Sequence, residues 1–470
     1  MRDLLPPLFL ERMAALLGGP ESAEYRAFAA SYDRPAVTGL RANTLKASAA
    51  ELAARLPFAL AAVPWSAEGF IVQDADAASA GRPGKHPYHA AGLYYLQEPS
   101  ALAPVELLDP RPGERVLDLA AAPGGKATHI AARLQGEGLL VANEIHGRRA
   151  WDLAENLERC GVRNAAVTNE TPERLAERFG AWFDAVLVDA PCSGEGMLRK
   201  SAAARQEWTP ELAAGCAVRQ ANILAAAARL VRPGGRLVYA TCTFAPEEDE
   251  RAVARFLAAR PDFDLPEPPR RPGFAPGRPD WLPADERDAR LAHAVRLWPH
   301  HVAGEGHFAA RLMRRADAEQ EAGPRPARSE RLPKAVEAAY RAFVAETLAG
   351  PPADAVMLAG AYLYAVLPGL PDLAGLRFLH PGWWLGTARK ERFEPSHALA
   401  LGLRAQQARR VADFPADGPE TARYLRGETL ASTGEDGWTL VTVDGYPLGW
   451  GKRVAGRLKS HYPRGLRPVK

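Results

Sequence analysis

Arg115-Val116-Leu117-Asp118-Leu119-Ala120-Ala121-Ala122-Pro123-Gly124-Gly125-Lys126 reads as a short buried strand that runs through a turn of small residues into a helix. Such a junction lies at the carboxyl edge of a parallel sheet, where small side chains let a ligand approach the backbone. The turn is not a phosphate loop of the GxxxxGK[ST] type, because Ala120 stands where the first glycine would be needed, and it is not GxGxxG either. The pattern repeats downstream. GLLVANE (138–144), AENLERCGV (154–162), AAVTNE (165–170), DAVLVDAPCSGEG (184–196), a long alanine-rich helix, and GRLVYATCTF (235–244) alternate strands with helical segments. Strands separated by helical patterns argue for parallel βαβ units. The predicted fold is α/β: a doubly wound, mostly parallel, seven-stranded Rossmann-like sheet, with RLWPHHVAGEGHFAARLMRR (296–315) as a hairpin completing it.

The 470 residues are enough for two to four domains, since one core rarely grows past ~250–300 residues. We expect an α+β region at 1–90, the sheet domain at 91–315, a polar Pro-containing linker at 316–332, and a C-terminal region at 333–470 that turns β-rich towards its end. With 47% hydrophobic and 24% charged residues the composition is that of an ordinary globular protein. No apolar run reaches membrane-spanning length, and the N-terminus lacks a signal-peptide layout. Four unevenly spaced cysteines with no CxxC pair make neither a disulfide framework nor a zinc site. We therefore expect a cytoplasmic protein with reduced thiols. The net charge of +3 is too small to define a partner, but residues 451–470 carry seven Lys or Arg and no acid, interleaved with His461 and Tyr462. Such a tail suits a surface that meets phosphates and bases.

A small-residue turn preceded by Asp118 suits S-adenosylmethionine, whose sulfonium and ammonium favour nearby acids. Glu144 ends the second strand 26 residues after Asp118, where a carboxylate can take both ribose hydroxyls. Cys192 and Cys242 end the regions after the fourth and fifth strands, with Asp189 three residues before Cys192. In a doubly wound sheet these neighbouring ends share a rim with the 120–126 loop. One lone cysteine there would read as an inert core residue; two at adjacent ligand-facing ends favour joint chemistry. C5 of cytosine is too weak a nucleophile to take a sulfonium methyl unaided, and a thiolate adding at C6 turns the ring into an enamine that can. His300, His301 and His307 have no carboxylate at ligand spacing, so no metal is expected. Arg296 and Glu305-Gly306, near the hairpin, are expected to border an RNA site.

DAPCSGEG (189–196), YATCTFAPEEDE (239–250) and AAAPGGK (120–126) resemble the motifs of the Sun-type RNA cytosine-5 methyltransferases. GLYYLQEPSA (92–101), RLWPHHVAGEGHF (296–308), RFEPSHALAL (392–401) and DGYPLGWGKR (444–453) extend the resemblance to the RsmF branch, over most of the chain. The resemblance implies a monomer that methylates cytosines of 16S ribosomal RNA or the assembled small subunit, and a C-terminal PUA-like barrel. It implies Cys242 as the nucleophile, Cys192 as the residue that assists product release, and Asp189 as the acid that contacts the cytosine beside the cofactor. Ala120, Ala121, Ala122, Pro123, Gly124, Gly125, Lys126 and Glu144 fall on the S-adenosylmethionine site. Thr171, preceded by Glu170, stands where the family has the Asp that bonds adenine; Glu248-Asp249 replaces Glu-Asn, and Thr243 replaces Ser.

Three rival readings share parts of this pattern. A transfer-RNA cytosine-5 methyltransferase has the same chemistry and differs in its appended regions. A DNA cytosine-5 enzyme would use the Pro-Cys cysteine and would not need one on the fifth strand. A non-catalytic RNA-binding assembly factor would need neither cysteine.

Overall fold

A computed structural model describes residues 4–73, 82–319, 323–326, 331–389 and 392–468. Parts of the expected linker (320–322 and 327–330) and the last two residues of the basic tail lie outside the described residues.

The central sheet is built as its sequence pattern requires. Parallel strands β1 (Arg115–Asp118), β2 (Leu139–Asn143), β3 (Ala165–Thr168), β4 (Phe183–Asp189) and β5 (Val231–Thr241) lie in the order β3-β2-β1-β4-β5. An antiparallel hairpin, β6 (Val295–Leu297) and β7 (His307–Arg314), closes the sheet, with β7 next to β5. Helices α1 (Gly125–Leu134), α2 (Gly147–Arg159), α3 (Pro172–Phe179), α4 (Pro210–Leu230) and α5 (Glu250–Ala259) cover its faces. Their starts carry local signals. Thr171 and Thr209 cap α3 and α4 through their hydroxyls, each followed by a proline and then a glutamate, which satisfies orphan N–H groups and suits the helix dipole.

The sheet has ten strands rather than the seven expected. The additions are Phe263–Asp264 on β7, Ala275–Pro276 on β6, and Phe378–His380, which pairs antiparallel with β3. The last comes from the C-terminal region and covers what would otherwise be an exposed edge of unpaired N–H and C=O groups; the sequence pattern around residue 378 does not reveal which sheet receives it. A Pro-Gly-Gly segment, 233–235, lies inside β5, at an irregularity in the β4–β5 register. Valines and leucines of the inner strands are buried on both faces, for example Leu117, Val186 and Leu237 on one and Val116, Leu187 and Val238 on the other.

The N-terminal region is a four-stranded antiparallel sheet with Leu60–Ala62 and Tyr94–Leu96 at its edges, preceded by helices Pro7–Leu16 and Ala23–Ser31. The C-terminal region holds a four-stranded sheet and a five-stranded sheet. The two ends of the chain share one apolar core: Leu40, Phe58, Tyr88 and Tyr94 pack with Tyr424, Leu448 and Leu458.

Candidate active site

The order β3-β2-β1-β4-β5 reverses direction between β1 and β4, and ligands of such sheets bind at that switch point, outside the carboxyl ends of the strands. A cleft of about 1060 Å³ opens there. Ala120, Ala122, Glu144, Thr171, Asp189, Cys192 and Cys242 all reach its wall. Sequence reasoning collected these residues from five separate segments, and the fold brings them to one rim.

The loop after β1 is held by close approach. Gly124, at φ +113°, caps α1, and a Cβ there would lie 3.1 Å from Asn156 Cβ. A Cβ on Gly125 would lie 3.3 Å from the Tyr95 ring. Asn156 donates from its side chain to the Pro123 carbonyl at 2.9 Å. Glu144 is buried; one carboxylate oxygen accepts the His146 N–H at 2.9 Å and the other pairs with Arg149 at 3.2 Å. Arg149 also donates to the Ala122 carbonyl at 2.8 Å, so one guanidinium ties the β1 loop to the acid after β2. That link was not legible in the sequence, where Arg149 is one of two adjacent arginines at a helix start. Asp118 is fully buried beneath the loop rather than facing the cleft. Burial, with the Asp189 charge nearby, raises its pKa to about 8.

Thr171 lines the cleft at the N-cap of α3, its hydroxyl accepting the Arg174 N–H at 3.3 Å. Glu170 is buried and committed elsewhere: its carboxylate accepts the Arg377 N–H at 2.8 Å, anchoring the extra edge strand. Of the two, only Thr171 is presented to a ligand. Exposed apolar Ile145 and Met197 add non-polar wall on either side.

Asp189 ends β4. Lys126 Nζ donates to its Oδ2 at 2.7 Å, and His307 Nε2 lies 3.8 Å from Oδ1. Burial alone would raise its pKa, but the Lys126 charge, with the His307 ring beside it, outweighs burial and holds the carboxyl well below the usual range. His307 was assigned no part from sequence; the hairpin register places it beside the end of β5.

Cys192 Sγ and Cys242 Sγ lie 3.4 Å apart, both thiols free. The bond to Cys242, followed by burial, pushes the Cys192 thiol far up, and either sulfur can be the donor of the pair. Cys160 is buried at the C-terminal end of α2, and Cys216 is buried on α4, where it reaches the wall of the same cleft.

What sets this spacing is a polar clamp. Glu248 accepts from the Ser193 N–H at 2.9 Å and from Gln220 at 2.8 Å, and Ser193 and Thr243 share a hydroxyl bond of 2.9 Å. The Gly196 N–H donates to the Cys242 carbonyl at 2.8 Å, and Phe244 N–H to Glu195 at 2.9 Å. Glu248-Asp249, the counterpart of the family's Glu-Asn, and the adjoining Glu250 are fully buried. Arg296 is buried with them, paired to Glu250 at 2.5 Å and Asp249 at 3.0 Å. Arg296 therefore does not border a ligand surface, contrary to the expectation from sequence. Glu305 is likewise buried against Arg199 at 2.6 Å.

Residues 105–313 match the family model of the 16S rRNA methyltransferase RsmB/F. Residues 5–99 match the N-terminal domain of 16S rRNA methyltransferase RsmF, 342–403 its first C-terminal domain, and 411–468 its PUA domain. The ribosomal RNA small subunit methyltransferase F of Klebsiella pneumoniae is 34% identical over 98% of this chain and 96% of its own length. That of Escherichia fergusonii is 32% identical over the same shares. Among solved structures, a methyltransferase homolog from Pyrococcus horikoshii is 28% identical at a TM-score of 0.55, covering 66% of this chain and 100% of that one. The NSun6 structure from the same organism, 22% identical at a TM-score of 0.56 over 68% of this chain and 100% of that one, shares the fold.

Proposed function

The chain belongs to the RsmF family of 16S rRNA methyltransferases, and from that membership we propose that it methylates C5 of cytosine in 16S ribosomal RNA, with S-adenosylmethionine as methyl donor and Cys242 as covalent nucleophile. The observation that carries this reading is the pair of sulfurs 3.4 Å apart on a cleft that also holds the β1 loop and Glu144. A binding module has no use for two adjoining thiols at a cofactor rim.

The residues divide the work as follows. The 120–126 backbone, Glu144 and Thr171 hold the cofactor, which supplies an electrophilic methyl group. The Cys242 thiolate adds to C6 of a cytosine withdrawn from its stack, and the electron pair of the C5–C6 bond makes C5 nucleophilic. Asp189, ionised between Lys126 and His307, accepts a hydrogen bond from the exocyclic amine, and Lys126 is the proton donor in contact with it. After methyl transfer a water in the open cleft takes the C5 proton, the C5–H electron pair re-forms the C5–C6 double bond, and the C6–S bond breaks with its pair on sulfur to return the Cys242 thiolate. Cys192, held as a thiol, donates to that departing sulfur, which lowers the cost of its release. The PUA domain and N-terminal sheet grip the RNA, their phosphate contacts setting its register.

The test supplies labelled S-adenosylmethionine with naked 16S RNA, assembled small subunits and transfer RNA. Wild type should label 16S RNA or the subunit. Cys242→Ser should transfer nothing, and Cys192→Ser should accumulate a protein–RNA adduct. Turnover by Cys242→Ser would sink the assignment of roles; labelling of transfer RNA alone would move the substrate.

A further inference from the structure

The turn joining β6 to β7 carries two adjacent histidines, and the fold brings a carboxylate to them from near the N-terminus. His300 Nε2 lies 2.8 Å from Glu24 Oε1, and His301 Nε2 lies 3.3 Å from the same oxygen. The two imidazole centroids are 4.1 Å apart, and all three ligand atoms fall within 4.8 Å of one another. Glu24 sits in the first turn of the helix Ala23–Ser31, so the cluster joins the N-terminal helix pair to the catalytic hairpin.

We propose that Glu24, His300 and His301 form a site for a divalent transition metal of the zinc class, separate from the catalytic cleft, that pins the N-terminal helices to the β6–β7 turn. Three considerations carry it. Tetrahedral zinc with ligand bonds near 2.0–2.1 Å needs ligand atoms ~3.3 Å apart, and the carboxylate already stands 2.8 and 3.3 Å from the two nitrogens. The donor set, two imidazoles and one carboxylate, is one zinc accepts with solvent as a fourth ligand. Access is built in, because the His300 side chain is 1% exposed while that of His301 is 45% exposed.

Two cations act on the cluster electrostatically, Arg34 and Arg278. Arg278 has its charge met by Asp280 through two bonds of 3.0 and 2.7 Å, which leaves Arg34 as the opposing charge. The contrast with Glu68, Glu106 and His129, a second group of potential ligands, is instructive. There Glu106 is already paired with Arg133 at 2.7 Å and Arg271 at 3.0 Å, so its charge is satisfied without a metal. The His300 ring packs on Phe28 and Trp298, and Trp298 stacks on Phe244, two residues beyond Cys242. A metal here would stiffen the layer beneath the nucleophile loop without touching the reacting groups.

The experiment titrates EDTA-stripped full-length protein with zinc chloride by calorimetry, with thermal unfolding in parallel. Because the catalytic thiols also attract zinc, each titration is repeated on protein carrying Cys192→Ser and Cys242→Ser. The expected result is one equivalent bound in the thiol-free protein, with a raised Tm. His301→Ala, at an exposed position, should weaken that binding roughly tenfold or more while leaving the Tm of metal-free protein unchanged. Glu24→Gln should weaken it similarly. Binding that vanishes with the cysteines, or that is unaltered in both His301→Ala and Glu24→Gln, would overturn the site.

Discussion

The catalytic rim and the lobe made by the two ends of the chain both hold distant segments together, and they do so by opposite means. At the rim the loops after β4 and β5 are joined by buried polar groups: Glu248 with Ser193 and Gln220, Glu195 with Phe244 and Trp208, Arg296 with Asp249 and Glu250. In the lobe, residues from 40–94 and 412–462 share an apolar core, and polar contacts lie at its margin. Hydrogen bonds are directional and fix atoms in place, whereas apolar burial is not. In the proposed reaction one sulfur adds to carbon and the other assists its departure, which requires the first kind of support. A lobe proposed to grip RNA by phosphate contacts is served by the second.

The sharpest way to break this contrast is Arg296→Ala. It would leave Asp249 and Glu250 buried without their cation, and removing one partner of a buried pair costs ~3–5 kcal/mol. Urea unfolding should show a loss of this size, together with lost methyl transfer, because Thr241, one residue before Cys242, bonds Asp249 at 2.6 Å. A cost below ~1 kcal/mol would mean that the rim is not held by charge.

A second effect is pH-dependent. Burial raises the Glu248 pKa to about 7 from an ordinary value of 4.5. A carboxyl raised in the folded state favours folding below its unfolded pKa and loses that advantage as pH rises. Stability should therefore fall between pH 4.5 and about 7 by roughly 3 kcal/mol from this group, then level off. Glu248→Gln retains acceptor and donor atoms but cannot ionise, so its stability profile should be flatter across that window. Methyl transfer should fall in the variant as the spacing of the cysteines relaxes. An unchanged profile would show that another group carries the titration.

Legibility in the sequence follows the same division. The 115–126 junction, the alternation of strands and helices, and the two cysteine segments are local patterns, so the sheet order and the rim could be reached from them. The clamp could not. Glu248-Asp249 is legible only as a variant of the family's Glu-Asn, and nothing local shows that it and Glu250 are buried against Arg296, some fifty residues on. The same holds for Glu24, which approaches His300 across 276 residues of chain. Phe378–His380 joins the sheet at β3 although its sequence belongs with the C-terminal strands. In each case the partner lies far along the chain, and periodicity carries no information about it. The cysteines were found because strand ends repeat; their support was missed because it does not.

The smallest effect tests the other side of the contrast. Tyr88 Oη donates to Asp444 at 2.8 Å, a bond from the N-terminal region to the C-terminal five-stranded sheet at the edge of their shared core. Tyr88→Phe removes the hydroxyl and leaves the ring in the core, so it should cost ~1 kcal/mol in stability. Because the lobe is held by apolar burial and is separate from the Glu248 clamp, kcat at saturating RNA should match wild type while any loss appears in RNA affinity. A drop in kcat beyond roughly threefold, which is less than 1 kcal/mol, would mean that the margin of the lobe helps to set the geometry of the rim. The division between directional support for chemistry and apolar support for grip would then fail at the point where the two regions are best separated.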